Sequence, residues 1–365
     1  MKYNKVPIFD LADWKNGLAF KQFAFSDNGK PIIKIAELKN GVSSQTSFTQ
    51  QEFDKSVYLT KGDLLFSWSG NPETSIDVFW YNLPDGWLNQ HIFKVTPKDG
   101  VNKVYLYYLL KYLKPEFTAI ASNKQTTGLG HVTVKDLKEL TVSLPDLEHQ
   151  TQIGKYLSMI DQAIRTNQKI NDNLEQQAQA IYSSMFIDNP NPAWKHGHLS
   201  DLITVKYGKD HKKLADGIYP VYGSGGIMRY AERPLYNKES VLIPRKGTLN
   251  NVIYVNQPFW SVDTMFYTEM KIPNVAKFVY HFVKAKDLAS MNAGSAVPSM
   301  TTDILNAMEV VIPSAPDLEE FESLVAPMYK AMEANHVQSQ VLSRMRDTLL
   351  PKLMSGEIDV SAVQL

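Results

Sequence analysis

With 365 residues, 44% of them hydrophobic and including 16 Phe and 18 Tyr, the chain exceeds one ordinary domain and has apolar side chains enough for two cores. Its 38 basic and 38 acidic residues cancel to a formal net charge of zero, which argues against a protein that coats a polyanion by bulk charge. The absence of cysteine removes disulfides, thiolate nucleophiles and cysteine-based zinc sites; no run approaches the ~20 apolar residues of a membrane span and the N-terminal MKYNKVPIFD lacks a secretory apolar stretch, so a soluble cytoplasmic protein is expected.

Residues 1–144 read as a mixed α/β unit. Strand-like runs fall at residues 31–35, 63–68, 78–80 and 92–95, punctuated by Gly17, Gly29, Gly41, Gly62, Gly70 and Gly86. A helix is predicted over residues 104–113, ended by Pro115, followed by a polar loop from Ser122 to Gly128 and a strand over residues 140–144. From Pro145 a long amphipathic helix takes over. Ile153, Leu157, Ile160, Ile164, Asn167, Asn171, Leu174, Ala178, Ile181 and Met185 follow alternating steps of four and three, the seam of a coiled coil.

Asp188-Asn189-Pro190-Asn191-Pro192 is a stiff polar break, after which residues 194–313 replay the first unit. Asp10, Leu11 and Gly17 match Asp201, Leu202 and Gly208 at one offset; the helix returns at residues 277–283, the polar loop at 291–298 and the strand at 308–312. Pro316-Asp317-Leu318-Glu319 then repeats Pro145-Asp146-Leu147-Glu148 and opens a distal helix. Carrying the first seam across the repeat predicts Leu324, Met328, Ala331, Asn335, Gln338, Leu342, Met345, Leu349 and Lys352 as the second seam. Pro327 lies inside that pattern and must kink the helix or mark its true start. The polar seam residues Asn167, Asn171, Asn335 and Gln338 either fix register or belong to a partly solvated face.

The expected architecture is α/β (α+β): two globular units, 1–144 and 189–315, alternate with two long helical segments, 145–188 and 316–365, which pair as an antiparallel coiled coil in a pseudo-two-fold internal repeat. Helices of ~40 residues are ~60 Å long and would act as a spacer with one unit at each end. Charge divides the same way. Between residues 194 and 250 ten basic residues outnumber five acids, while the distal segment carries eight acids against four basic residues. Globular parts that meet a polyanion and helices that meet protein would produce this division, and so would ordinary surface scatter.

Catalytic constellations are not found. Asn189-Pro190-Asn191-Pro192 lacks the aromatic residue of an adenine methyltransferase loop, and Gly223-Ser224-Gly225-Gly226 reads as a turn rather than a cofactor loop. Neither Glu37-Leu38-Lys39 nor Glu269-Met270-Lys271 follows a Pro-Asp pair at nuclease spacing, and Lys246-Gly247-Thr248 is not a P-loop. His196 and His198 have no nearby acidic or histidine partners to complete a metal site, and His131 reads as a hydrogen-bonded loop histidine. No catalytic residue and no metal ligand is assigned.

If the polyanion that the basic segment suggests is duplex DNA, loops must bring polar and basic side chains to base edges and phosphates. The candidates are polar, glycine-containing and flanked by strand or helix signals. In the first unit they are Ser69 and Asn71 in one loop and Lys124, Gln125 and Thr127 in another. In the second they are Tyr222 and Ser224, then Arg245, Lys246 and Thr248, then Asn292 and Ser295. Arg245 and Lys246 follow the apolar run Val241-Leu242-Ile243 and precede Gly247, a strand end that can approach DNA closely. Trp68, Trp80, Trp87 and Trp260 could stack on bases, but their apolar surroundings favour the core.

The segments PDLEHQTQIGKYLSMIDQAI from Pro145, YPVYGSGGIMRYAERPL from Tyr219, VLIPRKGT from Val241, SVDTMFY from Ser261 and GSAVPSM from Gly294 together resemble the specificity subunit of type I restriction–modification enzymes. The resemblance covers nearly the whole chain in the family's order of target recognition domain, central helix, second recognition domain and distal helix. One departure is Phe321, which stands where the family's PxLEEQ pattern has the glutamine that Gln150 supplies in the first copy. The resemblance implies a non-catalytic subunit that reads a bipartite DNA site, one recognition domain per half. It further implies partnership with two methyltransferase subunits and with restriction subunits, no contact with membranes, and no cofactor on this chain, with S-adenosylmethionine, ATP and Mg on the partners. Two other readings stay open at this point: a stand-alone DNA methyltransferase or nuclease with unrecognised motifs, and a coiled-coil scaffold without a nucleic-acid role.

Overall fold

The structure, a computed structural model, describes residues 4–21, 25–125, 128–291 and 299–360. It divides into two compact units, Met1–Thr166 with Gln338–Leu365, and Asn167–Val337. Each contains one globular part and a portion of both long helices.

In the first unit a four-stranded antiparallel sheet runs in the order Ala12–Asn16, Ile92–Pro97, Leu64–Ser67, Asp77–Trp80. Its middle strands are apolar on both faces because both faces are covered. Alternation along the strands sends Leu64, Phe66, Phe93 and Val95 to one core and Leu65 and Ile92 to the other. The first core is closed by the helix Lys103–Tyr112, through Tyr105, Leu106 and Leu109. The second is closed by a small mixed sheet ordered Phe48–Thr49, Lys30–Ile33, Gly86–Leu88, Tyr58–Leu59. Asn4–Pro7 pairs with Thr141–Leu144. Asn102 caps the helix by accepting from the amides of Val104 and Tyr105 at 2.9 and 3.0 Å. Pro115 does not lead into a loop as expected. It occupies the first turn of a second helix, Lys114–Asn123, where a missing N–H costs nothing, so Ser122 is helical.

The second unit has the same plan. Its main sheet is ordered Ile203–Tyr207, Met265–Met270, Ser240–Pro244, Ile253–Val255, all antiparallel. Val241, Ile243 and Phe266 face one core while Leu242, Met265 and Tyr267 face the other. Lys195–His198 pairs with Glu309–Ile312, and the helix is Ala276–Lys284. The matched glycines mark one shared joint. Gly17 donates its amide to the Ile92 carbonyl at 3.1 Å and Gly208 to that of Met265 at 3.0 Å. A Cβ on Gly17 would collide with the carbonyls of Asn89 and Leu88, and on Gly208 with those of Val262 and Ser261.

The central helix is Leu147–Ser183 with a π turn, Ser184–Asp188, at its end. The distal helix is continuous over Ala315–Ser355, so Pro327 is not its start. Within the first unit Asp161 accepts from Arg346 at 2.8 Å and from the Tyr108 hydroxyl at 2.6 Å, and Leu353 and Met354 join Ile153 and Leu157 in one core. Within the second, the Asn335 amide donates to Asn171 Oδ1 at 2.8 Å, Asn171 donates to the Met332 carbonyl at 3.0 Å, and Phe321 packs on Tyr182 and Phe186. In each unit rising numbers on one helix meet falling numbers on the other, so the pair is antiparallel. The seam asparagines bond across it, Asn167 included, which donates to the Asn335 carbonyl at 3.3 Å.

The first seam is as expected: Ile153, Leu157, Ile160, Asn167 and Ala178 are buried, and Ile164 and Leu174 half-buried. The second needs correction. Met328, Leu342 and Leu349 face inward, but Leu324 and Met345 are each 47% exposed, while Phe321 and Val325 are fully buried and Met332 and Leu353 also turn inward. The true seam keeps the Met328, Leu342, Leu349 column and takes its other row from the opposite side. Phe321 accounts for the choice, because it fills the space between Tyr182, Phe186 and Phe278 and draws Val325 in behind it. At the matching position of the first copy Gln150 is buried and ties down the loop before the capped helix, accepting from the Asn102 amide at 2.9 Å and donating to the carbonyls of Pro145 and Gly100 at 2.8 and 3.2 Å.

Candidate nucleic-acid interface

Two of the first unit's loops meet at one end of its main sheet. Past the strand Leu64–Ser67, Ser69–Gly70 pairs with Gly130–His131, bringing together segments distant in sequence. Between them Trp68 is held by its backbone: its amide donates to the His91 carbonyl at 3.2 Å and its carbonyl accepts from Val132 at 2.8 Å. The indole N–H donates to Asn16 Oδ1 at 3.0 Å; the ring stacks on Phe93 at 5.7 Å and touches the rings of His91 and His131 at 5.7 and 5.9 Å. Burial, and then the neighbouring His131, push the His91 imidazole below its usual pKa.

The second unit builds the same joint from different side chains. The amides of Arg245 and Lys246 donate to the Thr264 carbonyl at 2.8 and 3.1 Å, and the Arg245 carbonyl accepts from Met300 at 2.9 Å. Arg245 therefore occupies the place of Trp68. Its guanidinium lies 5.4 Å over the Tyr207 ring and donates to the Asp263 carbonyl at 3.2 Å. Lys246 is exposed and bridges to Ser299. Gly247 has φ 87°, a conformation that favours glycine, and lies against the Ser224-Gly225 turn, where a Cβ would come 2.7 Å from Ser224 Oγ. Asn251 donates to the Ser224 carbonyl at 2.8 Å and ties the turn down.

Among the sequence candidates, Arg245, Lys246, Thr248 and Ser224 gather at this end of the second unit. Lys124 and Gln125 are exposed in the first unit, with Lys124 paired to Asp136. Burial pushes the Asp136 carboxyl up, but its bonds to Lys124 and Thr133 outweigh that and hold it below the ordinary range. Three candidates are placed otherwise than a free contact requires. Ser69 is buried with its hydroxyl 2.8 Å from His131 Nδ1; Asn71 uses its side-chain oxygen to cap the turn Pro72–Ser75; Tyr222 is a core wall against Phe259. Thr127, Asn292 and Ser295 lie outside the described residues. Trp87 and Trp260 are buried, and Trp68 and Trp80 pack partly against the first core.

Sequence reasoning did not pick out Asn16, Gln90 and His91, or Tyr207 and Asp263, which surround the two joints. Part of the signal was available in the repeat: the offset that matches Gly17 with Gly208 carries Asn16 onto Tyr207. Among the described residues no group of three or more His, Asp or Glu side chains could hold a metal, and no helix is long and apolar enough to cross a membrane.

Two globular units with one order of main-sheet strands, each presenting a rebuilt polar strand end and each packed on paired helices, define a two-headed recognition protein. The model of the type I restriction modification DNA specificity domain matches residues 1–176 and again 191–324, and the chain belongs to this family, recognising DNA sequence with two domains. It is 26% identical over 370 residues to the type I restriction enzyme MjaIX specificity subunit of Methanocaldococcus jannaschii, covering 83% of this chain and 84% of that one. With the type I restriction enzyme HindI specificity subunit of Haemophilus influenzae it shares 21% identity over 414 residues, 82% of this chain and 87% of that one. Its fold is similar to the crystal structure of a type I restriction-modification system S subunit from M. genitalium, with TM-score 0.60 and 19% identity over 97% and 96% of the two chains. A helical scaffold without a nucleic-acid role is thereby excluded.

Proposed function

We propose that this chain is the non-catalytic reader of a bipartite DNA site, with residues 1–144 and 189–315 each taking one half and the helical segments 145–188 and 316–365 joining them. The observation that carries this reading is the shared joint at Trp68 and Arg245: one backbone frame, held by equivalent hydrogen bonds, presents an aromatic and histidine cluster in one unit and an arginine and lysine pair in the other. A fixed frame with exchanged side chains is what two readers of different half-sites require. Arg245 and Lys246 contact DNA in the second unit, and His91, Lys124 and Gln125 in the first.

The chain holds two methyltransferase subunits and, in the full complex, restriction subunits. S-adenosylmethionine, ATP and Mg belong to those partners. Val341 and Met345, both about half exposed on the outer face of the distal helix, are the kind of apolar surface that a partner helix covers.

The test is to exchange residues 194–313 for the equivalent segment of a relative and to map methylation in cells that also carry the methyltransferase subunit. One half of the methylated site should change and the other persist. If both halves change together, the division between the units is wrong. Methylated or cleaved DNA from the purified chain alone, given S-adenosylmethionine, ATP and Mg, would overturn its non-catalytic role.

A further inference from the structure

The second unit's small sheet is ordered Gly226–Ala231, Asp216–Gly223, Trp260–Ser261, and its edge strand Gly226–Ala231 turns large apolar side chains outward. Met228 is 60% exposed, Tyr230 41% and Ile227 39%, and Ile218 on the neighbouring strand Asp216–Gly223 is 78% exposed. An apolar edge strand of this kind is an aggregation liability unless something covers it. The Met228 side chain lies over Gly223, where a Cβ would come 2.5 Å from Sδ.

Basic groups bracket the same hairpin. The loop that carries Lys209, Lys212 and Lys213 is laid along it: Arg229 donates to the Leu214 carbonyl at 2.8 Å, the Glu232 amide to that of Ala215 at 3.0 Å, and the Trp260 indole to that of Lys209 at 2.8 Å. At the opposite end the Ser224-Gly225 turn lies against Gly247, beside Lys246. The acids in these surroundings are Asp210, Asp216, Glu232 and, beside Arg245, Asp263; Asp216 is paired with Arg229 at 2.9 Å. An apolar ribbon between lysines matches a polyanion whose interior offers apolar groups.

We propose that the hairpin of strands Asp216–Gly223 and Gly226–Ala231 is a DNA-reading ribbon, in which Met228, flanked by Ile227 and Tyr230, contacts thymine methyl groups while the lysines at either end contact phosphates. The inference rests on the reading of the second unit as a DNA reader. The major groove admits a two-stranded ribbon, and the thymine methyl is the base-edge feature that an apolar side chain can select without a hydrogen bond.

The experiment uses the full chain assembled with its methyltransferase subunits and a duplex carrying its mapped site. Met228→Ser should weaken specific binding by about fourfold or more, the scale of a methylene-sized contact, without changing the salt dependence, since no charge is lost. Replacing thymine by uracil in the second unit's half-site should cost the parent complex about fourfold and cost the Met228→Ser complex nothing further. Tyr230→Ser serves as an independent variant of the same face. The proposal is overturned if both variants bind as the parent does, if the uracil penalty is zero in the parent or undiminished in Met228→Ser, or if the half-site contains no thymine. It is equally overturned if the variants lose affinity only because they assemble poorly with the methyltransferase subunits, which would make the face a protein contact. Absence of specific binding by the parent complex would count instead against the function proposed above.

Discussion

Val325 and Leu324 are adjacent apolar residues, and the structure assigns them opposite fates. Val325 is fully buried with Leu318, Phe321 and Tyr329, whereas Leu324 is 47% exposed. Val325→Ala removes two methyl-sized groups, about 1.6 kcal/mol of transfer free energy at ~0.8 kcal/mol each, and leaves a cavity, for a total of about 2 to 3 kcal/mol. Leu324→Ala should fall within about 0.5 kcal/mol of zero, because little burial is lost and alanine is at least as good a helix former. Hydrogen exchange in peptides from residues 315–337 reads the opening of this segment without treating the whole chain as two-state. Val325→Ala should speed exchange there by about thirtyfold to a hundredfold or more, and Leu324→Ala by no more than about twofold. If Leu324→Ala proved as damaging as Val325→Ala, the seam described here would be on the wrong side of the helix.

Other consequences can be measured directly. His281 is fully buried between Gln179 Oε1 at 2.8 Å and the Tyr329 hydroxyl at 2.9 Å, and burial pushes its pKa down to about 4, against a weaker upward pull from Glu175. The unfolded chain therefore binds the extra proton between about pH 6.5 and 4, so acidification through that window should cost the second unit roughly 3 kcal/mol. His281→Gln should flatten that part of the pH profile in urea titrations; an unchanged profile would refute the assignment. Lys246→Ala should lower the slope of log affinity against log salt by about one if the contact is to phosphate, and Arg245→Ala should cost ~1 to 3 kcal/mol of specific binding if the contact is to a base edge. Normal binding isotherms for both would remove this loop from the interface. Gly17→Ala and Gly208→Ala should each destabilise their own unit by about 3 kcal/mol or more, since the new methyl meets backbone carbonyls that cannot yield, and thermal unfolding at parental temperature would contradict the joint.

The order of parts was legible in the sequence because it rests on local signals. A seam with steps of four and three, a repeated Pro-Asp-Leu-Glu opening, a proline-rich break and matched glycines act over a few residues each, and the central helix buries or half-buries the residues that its spacing singled out. The distal seam was not legible, because Leu324, Ala331 and Met345 on one side of the Met328 column are as apolar as Val325, Met332 and Leu353 on the other. Periodicity cannot choose between two apolar rows. The choice fell to Phe321, whose partners Tyr182, Phe186 and Phe278 come from the central helix and the second globular part. The interface divides in the same way. Arg245 and Lys246 could be read from a strand running into a glycine, but Ser69 and Tyr222 lie in equally polar, glycine-rich strings and are buried. What surrounds Trp68 and Arg245 comes from pairings such as Ser69 with His131 and Lys246 with Ser299, between segments that no local pattern joins. Burial and strand pairing are properties of the folded sheet, so the sequence by itself determined which loops are candidates, and only the tertiary structure decided which of their side chains face outward.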